Sequence, residues 1–174
     1  MTGSLERPDN TLVLGGARSG KSAHAEDLAR RSGLPRRYIA TAQAFDAEMA
    51  TRIARHQVDR GADWHLVEAP LDLCGALSQV PAGEVVLVDC ATLWLTNQLL
   101  AGRDADVETC ALLAALAICA SPVIIVSNEV GWSIVPENAL ARAFTDAQGR
   151  LNQSLAARCR RVTLVVAGLP VILK

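Results

Sequence analysis

Short apolar runs recur along the chain, separated by stretches in which apolar and polar positions alternate with helical spacing. Residues 11–14 form such a run and end in Gly15-Gly16, which predicts a strand buried on both faces. Residues 22–31 then read as a helix stopped by Gly33. Further strands are predicted over residues 37–41, 64–67, 84–90, 123–127, 162–167 and 171–173, the last two split by Gly168 and Pro170. Helices are predicted over 46–60 (capped by Asp46, ended by Gly61), 71–79, 92–100, 107–120 and 137–160, the last with a kink at Gly149. Residues 1–10 are polar and hold a proline, so a loose tail is expected there, with one domain over 11–174. Alternation of apolar strands with helices predicts an α/β fold with a largely parallel sheet.

Composition narrows the class. With 51% hydrophobic and 20% charged residues in 174, the chain is neither disordered nor fibrous and can bury a core without staples. The net charge is −1, so no basic excess exists to neutralise phosphates along a nucleic acid, and no such partner is expected. The cysteine count is odd, five, with no C-x-x-C, which predicts reduced thiols packed as small apolar residues. The first ten residues lack the apolar stretch of a signal peptide. The longest apolar stretch, 111–126, is too short to span a bilayer and contains Ser121-Pro122. A cytoplasmic protein without a membrane span is expected.

The strongest local signal is GGARSGKS, comprising Gly15, Gly16, Ala17, Arg18, Ser19, Gly20, Lys21 and Ser22. It fits G-x-x-x-x-G-K-[ST], with a strand before it and a helix after it. Glycines let backbone N–H groups turn inward around phosphate oxygens, and the helix start adds its own N–H groups and dipole. Lys21 supplies a charge at the terminal phosphates, and the Ser22 hydroxyl can ligate Mg²⁺. Asp89 ends the run VVLVD, where an acid in a phosphate-loop protein supports Mg²⁺; the alternative is a cap for the next helix. The predicted class is therefore α/β, a P-loop NTPase-like (RecA-like), largely parallel sheet flanked by helices. The loop predicts binding of a nucleoside triphosphate and leaves its use open.

Of three histidines, His24 reads as packing or pointing to solvent and His65 as structural. His56 shares a helical face with Met49, Ile53 and Arg60. Spacing alone leaves it open between a half-buried helical histidine and a base or nucleophile acting on phosphorus.

Several blocks together go beyond a phosphate loop: YIATAQ at 38–43, DAEMATRIARHQ at 46–57, NEVGWSIVPEN at 128–138 followed by LAR, GRLNQ at 149–153 and VVAGLPVILK at 165–174. With these the chain resembles the bifunctional adenosylcobinamide kinase / adenosylcobinamide-phosphate guanylyltransferase family of cobalamin biosynthesis, from residue 12 to residue 174. The resemblance implies two reactions. The first transfers a phosphoryl group from ATP or GTP to a hydroxyl of adenosylcobinamide. The second transfers GMP from GTP to that phosphate through a GMP–histidine intermediate, giving adenosylcobinamide-GDP and pyrophosphate. The family histidine matches His56. Thr41, Ala42 and Gln43, with Gln57, Val58, Asp59 and Arg60, match positions lining the family's GTP site, and Glu68 ends the strand WHLVE. Family members carry Glu where this chain has Asp89; the shorter acid leaves its role open between a guanine edge and Mg²⁺. Glu129 of NEVG is a candidate for polarising the substrate hydroxyl or holding metal, the alternative being a structural loop acid. Lys21 would act on the transferred phosphoryl group, and the family implies a homotrimer.

Three other readings compete. A phosphate-loop ATPase that couples hydrolysis to motion or DNA handling would want basic patches and an activating finger; the charge balance and the small size, with no second domain expected, oppose it. A nucleotide-sensing module would bind nucleotide without forming covalent GMP. A guanylyltransferase that has lost the kinase would carry the same motifs.

Overall fold

The computed structural model describes residues 9–43, 63–132 and 134–174. Its strands are β1 (Thr11–Gly15), β2 (Arg36–Ala40), β3 (Trp64–Glu68), β4 (Val85–Asp89), β5 (Val123–Asn128), β6 (Arg161–Val166) and β7 (Leu169–Ile172). Its helices are α1 (Lys21–Arg31), α2 (Leu73–Ser78), α3 (Ala91–Leu100), α4 (Ala105–Ile118) and α5 (Ala139–Arg158). The strands form one sheet in the order β3-β2-β4-β5-β1-β6-β7. All neighbours run parallel except β7, which pairs antiparallel with β6. β1 thus lies inside the sheet, in register with β5 (Gly15 beside Asn128) and β6 (Gly15 beside Val165).

Both faces of the central strands are covered, which is why they read as continuous apolar runs. Side chains alternate between faces. Val13, Tyr38, Val85, Leu87, Ile124 and Val126 pack with Ala25 and Ala29 of α1. Leu12, Leu14, Ile39, Val86, Val88 and Ile125 face the opposite layer, built from α2, α3, α4 and α5 around Leu73, Trp94, Leu112 and Leu151. No helix among the described residues is long and apolar enough to cross a membrane.

The elements predicted within the described residues are found, with three corrections. The tail expected over 1–10 does not reach Asn10. That residue is buried, its carbonyl accepts from the Arg160 and Arg161 N–H groups, and its Oδ1 accepts from Val123 N at 3.0 Å. Second, α5 passes through Gly149 without a break. Its start is capped by Asn138, whose side chain accepts from Leu140 N and Ala141 N. Burial of Ala147, Leu151 and Leu155 outweighs the roughly 1 kcal/mol cost of a helical glycine. Third, Pro170 lies inside β7 rather than splitting it, which an edge strand allows because a proline cannot donate to a ladder. The turn before it is Ala167-Gly168, with φ of 51° and 78°, the left-handed pair that a two-residue hairpin requires. The helix expected over 46–60 lies outside the described residues.

Candidate active site

The ends of β1, β4 and β5 converge on the carboxyl edge of the sheet, where open α/β folds bind ligands. Gly15 ends β1 and begins the phosphate loop. A Cβ at Gly15 would collide with Ser19 Oγ and stand 2.6 Å from the Val165 carbonyl, so only glycine fits. Arg18 and Gly20 take left-handed φ values of 56° and 91°, which turn the loop into α1. Gly20 caps α1 with no side-chain bond, so the first N–H groups of the helix are left to meet an anion. Lys21 folds back over the loop and donates to the Gly16 carbonyl at 3.1 Å. The β6–β7 turn braces the loop from outside. Gly168 N donates to Ser19 O at 2.8 Å, and a Cβ at Gly20 would stand 3.1 Å from Gly168 Cα.

Asp89 is not a helix cap. The N-cap of α3 is Cys90, and Asp89 Oδ2 instead accepts from the Tyr38 hydroxyl at 2.7 Å. Tyr38 packs on the α1 face, so this bond keeps Asp89 on the same face and edge as Ser22. Beside it, Thr41 is fully buried. Its Oγ1 donates to Cys90 O and accepts from Cys90 N, both at 2.8 Å, and its carbonyl accepts from Asn97 Nδ2. The Thr41 hydroxyl is therefore consumed in holding the end of β4, and Ala42 and Gln43 follow it at the end of β2. Burial, reinforced by the charge of Asp89, pushes the Cys90 thiol up to about 12, with Lys21 opposing. Cys90 thus stays a neutral thiol. All five cysteines are free.

Glu129 follows β5 and extends its pairing with β1 by one step, its N–H donating to the Gly15 carbonyl at 3.1 Å. Its Oε1 accepts from Asn152 Nδ2 of α5 at 3.3 Å. Behind it lies a buried polar cluster of Thr92, Ser127, Gln148 and Asn152. Sequence reasoning passed over this cluster and Tyr38. The available signals were the polar pair Ser127-Asn128 ending an apolar strand, and the blocks YIATAQ and GRLNQ.

Glu68 stands apart. It is exposed at the end of the edge strand β3, four strands from β1, or roughly 19 Å at ordinary strand spacing. It borders an open cleft of about 580 Å³ that Arg37, Pro70, Asp72 and Gln79 also line. His56, Gln57, Val58, Asp59 and Arg60 lie outside the described residues.

Among the described residues no three His, Cys, Asp or Glu side chains cluster as a metal cage. Mg²⁺ bound with a nucleotide needs none, because it keeps several waters and takes one or two protein oxygens alongside the phosphates. Ser22 and Asp89 are hard oxygen donors of that kind.

The family model described as cobinamide kinase / cobinamide phosphate guanyltransferase matches residues 11–173. The chain belongs to this family. Within the cobinamide kinase / guanyltransferase family it is 52% identical over 166 residues to the bifunctional adenosylcobalamin biosynthesis protein CobP of Pseudomonas aeruginosa, covering 94% of this chain and 96% of that protein. It is 44% identical over 179 residues to the bifunctional adenosylcobalamin biosynthesis protein CobU of Escherichia coli, covering 94% and 98%. Among solved structures, the RadB recombinase matches with a TM-score of 0.53 at 18% identity, over 91% of this chain and 74% of that one. That likeness shows the fold alone. It agrees with the RecA-like, P-loop NTPase-like sheet expected from sequence and adds nothing to a DNA-handling role.

Proposed function

We propose the following division of labour in this bifunctional enzyme of adenosylcobalamin biosynthesis, a cobinamide kinase and cobinamide phosphate guanylyltransferase. In the kinase step the phosphates of ATP or GTP lie along Gly15–Ser22. The adenosylcobinamide hydroxyl oxygen attacks the γ-phosphorus, the bond from that phosphorus to the β–γ bridging oxygen breaks, and the nucleoside diphosphate leaves. The hydroxyl proton passes to the Glu129 carboxylate and on to water. Such a transfer needs mainly positioning and charge neutralisation, so Lys21 and one well-placed carboxylate suffice. Ser22 and Asp89 would hold Mg²⁺, which supplies neutralising charge on the phosphate oxygens when bound. The observation that carries the reading is the bond from Glu129 N–H to the Gly15 carbonyl, which fixes an acid beside the first residue of the loop.

In the guanylyl step His56 attacks the α-phosphorus of GTP and pyrophosphate leaves. A phosphate oxygen of adenosylcobinamide phosphate then displaces the histidine, giving adenosylcobinamide-GDP. Splitting one displacement into two is the usual advantage of covalent catalysis. Ala42, Gln43, Gln57, Val58, Asp59, Arg60 and Glu68 would line that nucleotide site, while the buried Thr41 would hold the turn behind it. The separation of Glu68 from β1 supports two subsites along one sheet edge. The enzyme works in this reading as a cytoplasmic homotrimer.

The test is GTP labelled at the α-phosphate, mixed with Mg²⁺ and protein without corrinoid and then denatured. Protein-bound label that is stable to alkali, lost in acid and absent from His56→Ala is expected. Absence of label on protein that demonstrably binds GTP would refute the covalent route.

A further inference from the structure

The buried polar cluster behind Glu129 is costly, because each of its groups has left water. An apolar filling would pack the same space between α3, β5 and α5. The bonds that pass through Asn152 run in one direction. Gln148, fully buried, donates through Nε2 to Ser127 Oγ and Asn152 Oδ1, both at 2.9 Å. Ser127 Oγ donates to Asn152 Oδ1 at 2.7 Å. Asn152 is thereby fixed in one orientation, with both acceptor sites of Oδ1 filled. Its Nδ2 then donates to the Asn128 carbonyl at 3.0 Å and to Glu129 Oε1 at 3.3 Å. Thr92 Oγ1 closes the cluster by accepting from Asn128 N at 2.8 Å. The half of the network in contact with the site is thus a backbone unit and the carboxylate of Glu129.

We propose that Asn152 is a positioning residue for the phosphoryl transfer, acting through Glu129. This rests on the kinase role of Glu129 given above. Gln148 and Ser127 lock the amide, and the amide holds one carboxylate oxygen while the backbone N–H of Glu129 is tied to Gly15. A neutral amide orients the carboxylate without adding a positive charge that would compete with Lys21 or Mg²⁺ for it. The other carboxylate oxygen is left to meet the attacking hydroxyl. Misplacing such a group by about 1 Å can cost on the order of a hundredfold in rate.

The test is a double-mutant cycle on the full-length enzyme with Asn152→Asp and Glu129→Gln, following adenosylcobinamide phosphorylation. Asn152→Asp keeps the acceptor and removes the donor; Asn152→Leu is the second variant should the buried acid prevent folding. Expected is a fall in kcat of roughly 10- to 100-fold for Asn152→Asp, with the KM for ATP within about 3-fold, since second-layer contacts carry losses of that size. In the Glu129→Gln background the same change should cost less than about 3-fold more, because the group it positions is already neutralised. ATP-induced thermal stabilisation should persist in each variant. If Glu129→Gln retains wild-type kcat, the kinase role of Glu129 falls. If Glu129→Gln is impaired while Asn152→Asp is not, or if the two losses multiply, the positioning role of Asn152 falls and the first reading stands.

Discussion

The Tyr38 hydroxyl donates to Asp89 Oδ2 at 2.7 Å, joining β2 to β4 at the carboxyl edge of the sheet. This bond occupies one carboxylate oxygen and aims the other. Tyr38→Phe should therefore raise the Mg²⁺ concentration for half-maximal kinase activity by about 10-fold, the size expected when an orienting partner is lost. Stability should fall by only about 1 kcal/mol. A Mg²⁺ titration of activity beside a denaturant melt checks both numbers.

Gly15→Ala tests the close approach at the start of the loop. The new methyl meets Ser19 Oγ and the Val165 carbonyl, and the carbonyl belongs to β6 and cannot move aside. Kinase activity should drop by more than about a hundredfold through displacement of the loop. ATP should no longer raise the melting temperature.

Arg37 and Glu84 form a two-pronged pair, Nε to Oε2 at 2.7 Å and Nη2 to Oε1 at 3.2 Å, with both side chains half-buried. The hydrogen bonds from Arg37 hold the Glu84 carboxyl below its usual range. Its folded-state pKa is depressed, so the pair stabilises above the ordinary glutamate value of about 4.3 and loses that contribution as the pH falls through the lowered one. Arg37→Met should cost about 1–2 kcal/mol at neutral pH. The difference from wild type should shrink steadily in melts taken below about pH 4.

Ala167 carries the cost of a left-handed φ that its neighbour Gly168 does not. Ala167→Gly should stabilise the protein by about 0.5–1 kcal/mol, since the strain of a Cβ in that region outweighs the added chain entropy. A higher unfolding midpoint with unchanged kinase activity is the expected result.

Much of this was readable in the residues. The strands announced themselves as Val- and Ile-rich runs because a doubly covered parallel sheet leaves no polar face. The loop was legible because phosphate binding fixes glycines, Lys21 and Ser22 at set spacing. Strand order was not legible: nothing in VIIVSN says that β5 comes between β1 and β4, yet this places Glu129 rather than Asp89 beside Gly15. Asn152 and Gln148 escaped for the same reason, being polar residues on a helix whose buried side the pattern alone assigns to apolar ones. Asp89 was weighed as a helix cap because its true partner, Tyr38, lies 51 residues away in sequence.

The phosphate loop occupies residues 15–22, yet its strand pairs only with residues from 123 onward. Its outer brace, Gly168, comes later still. Such distant pairings form slowly, because the intervening chain must be gathered first. As the ribosome delivers the protein, β1 must wait for both of its sheet partners until β5 and β6 emerge. The loop at residues 15–22 is therefore made well before the strands and the turn that hold it, and a nascent chain that stops short of β6 lacks one whole side of the nucleotide site.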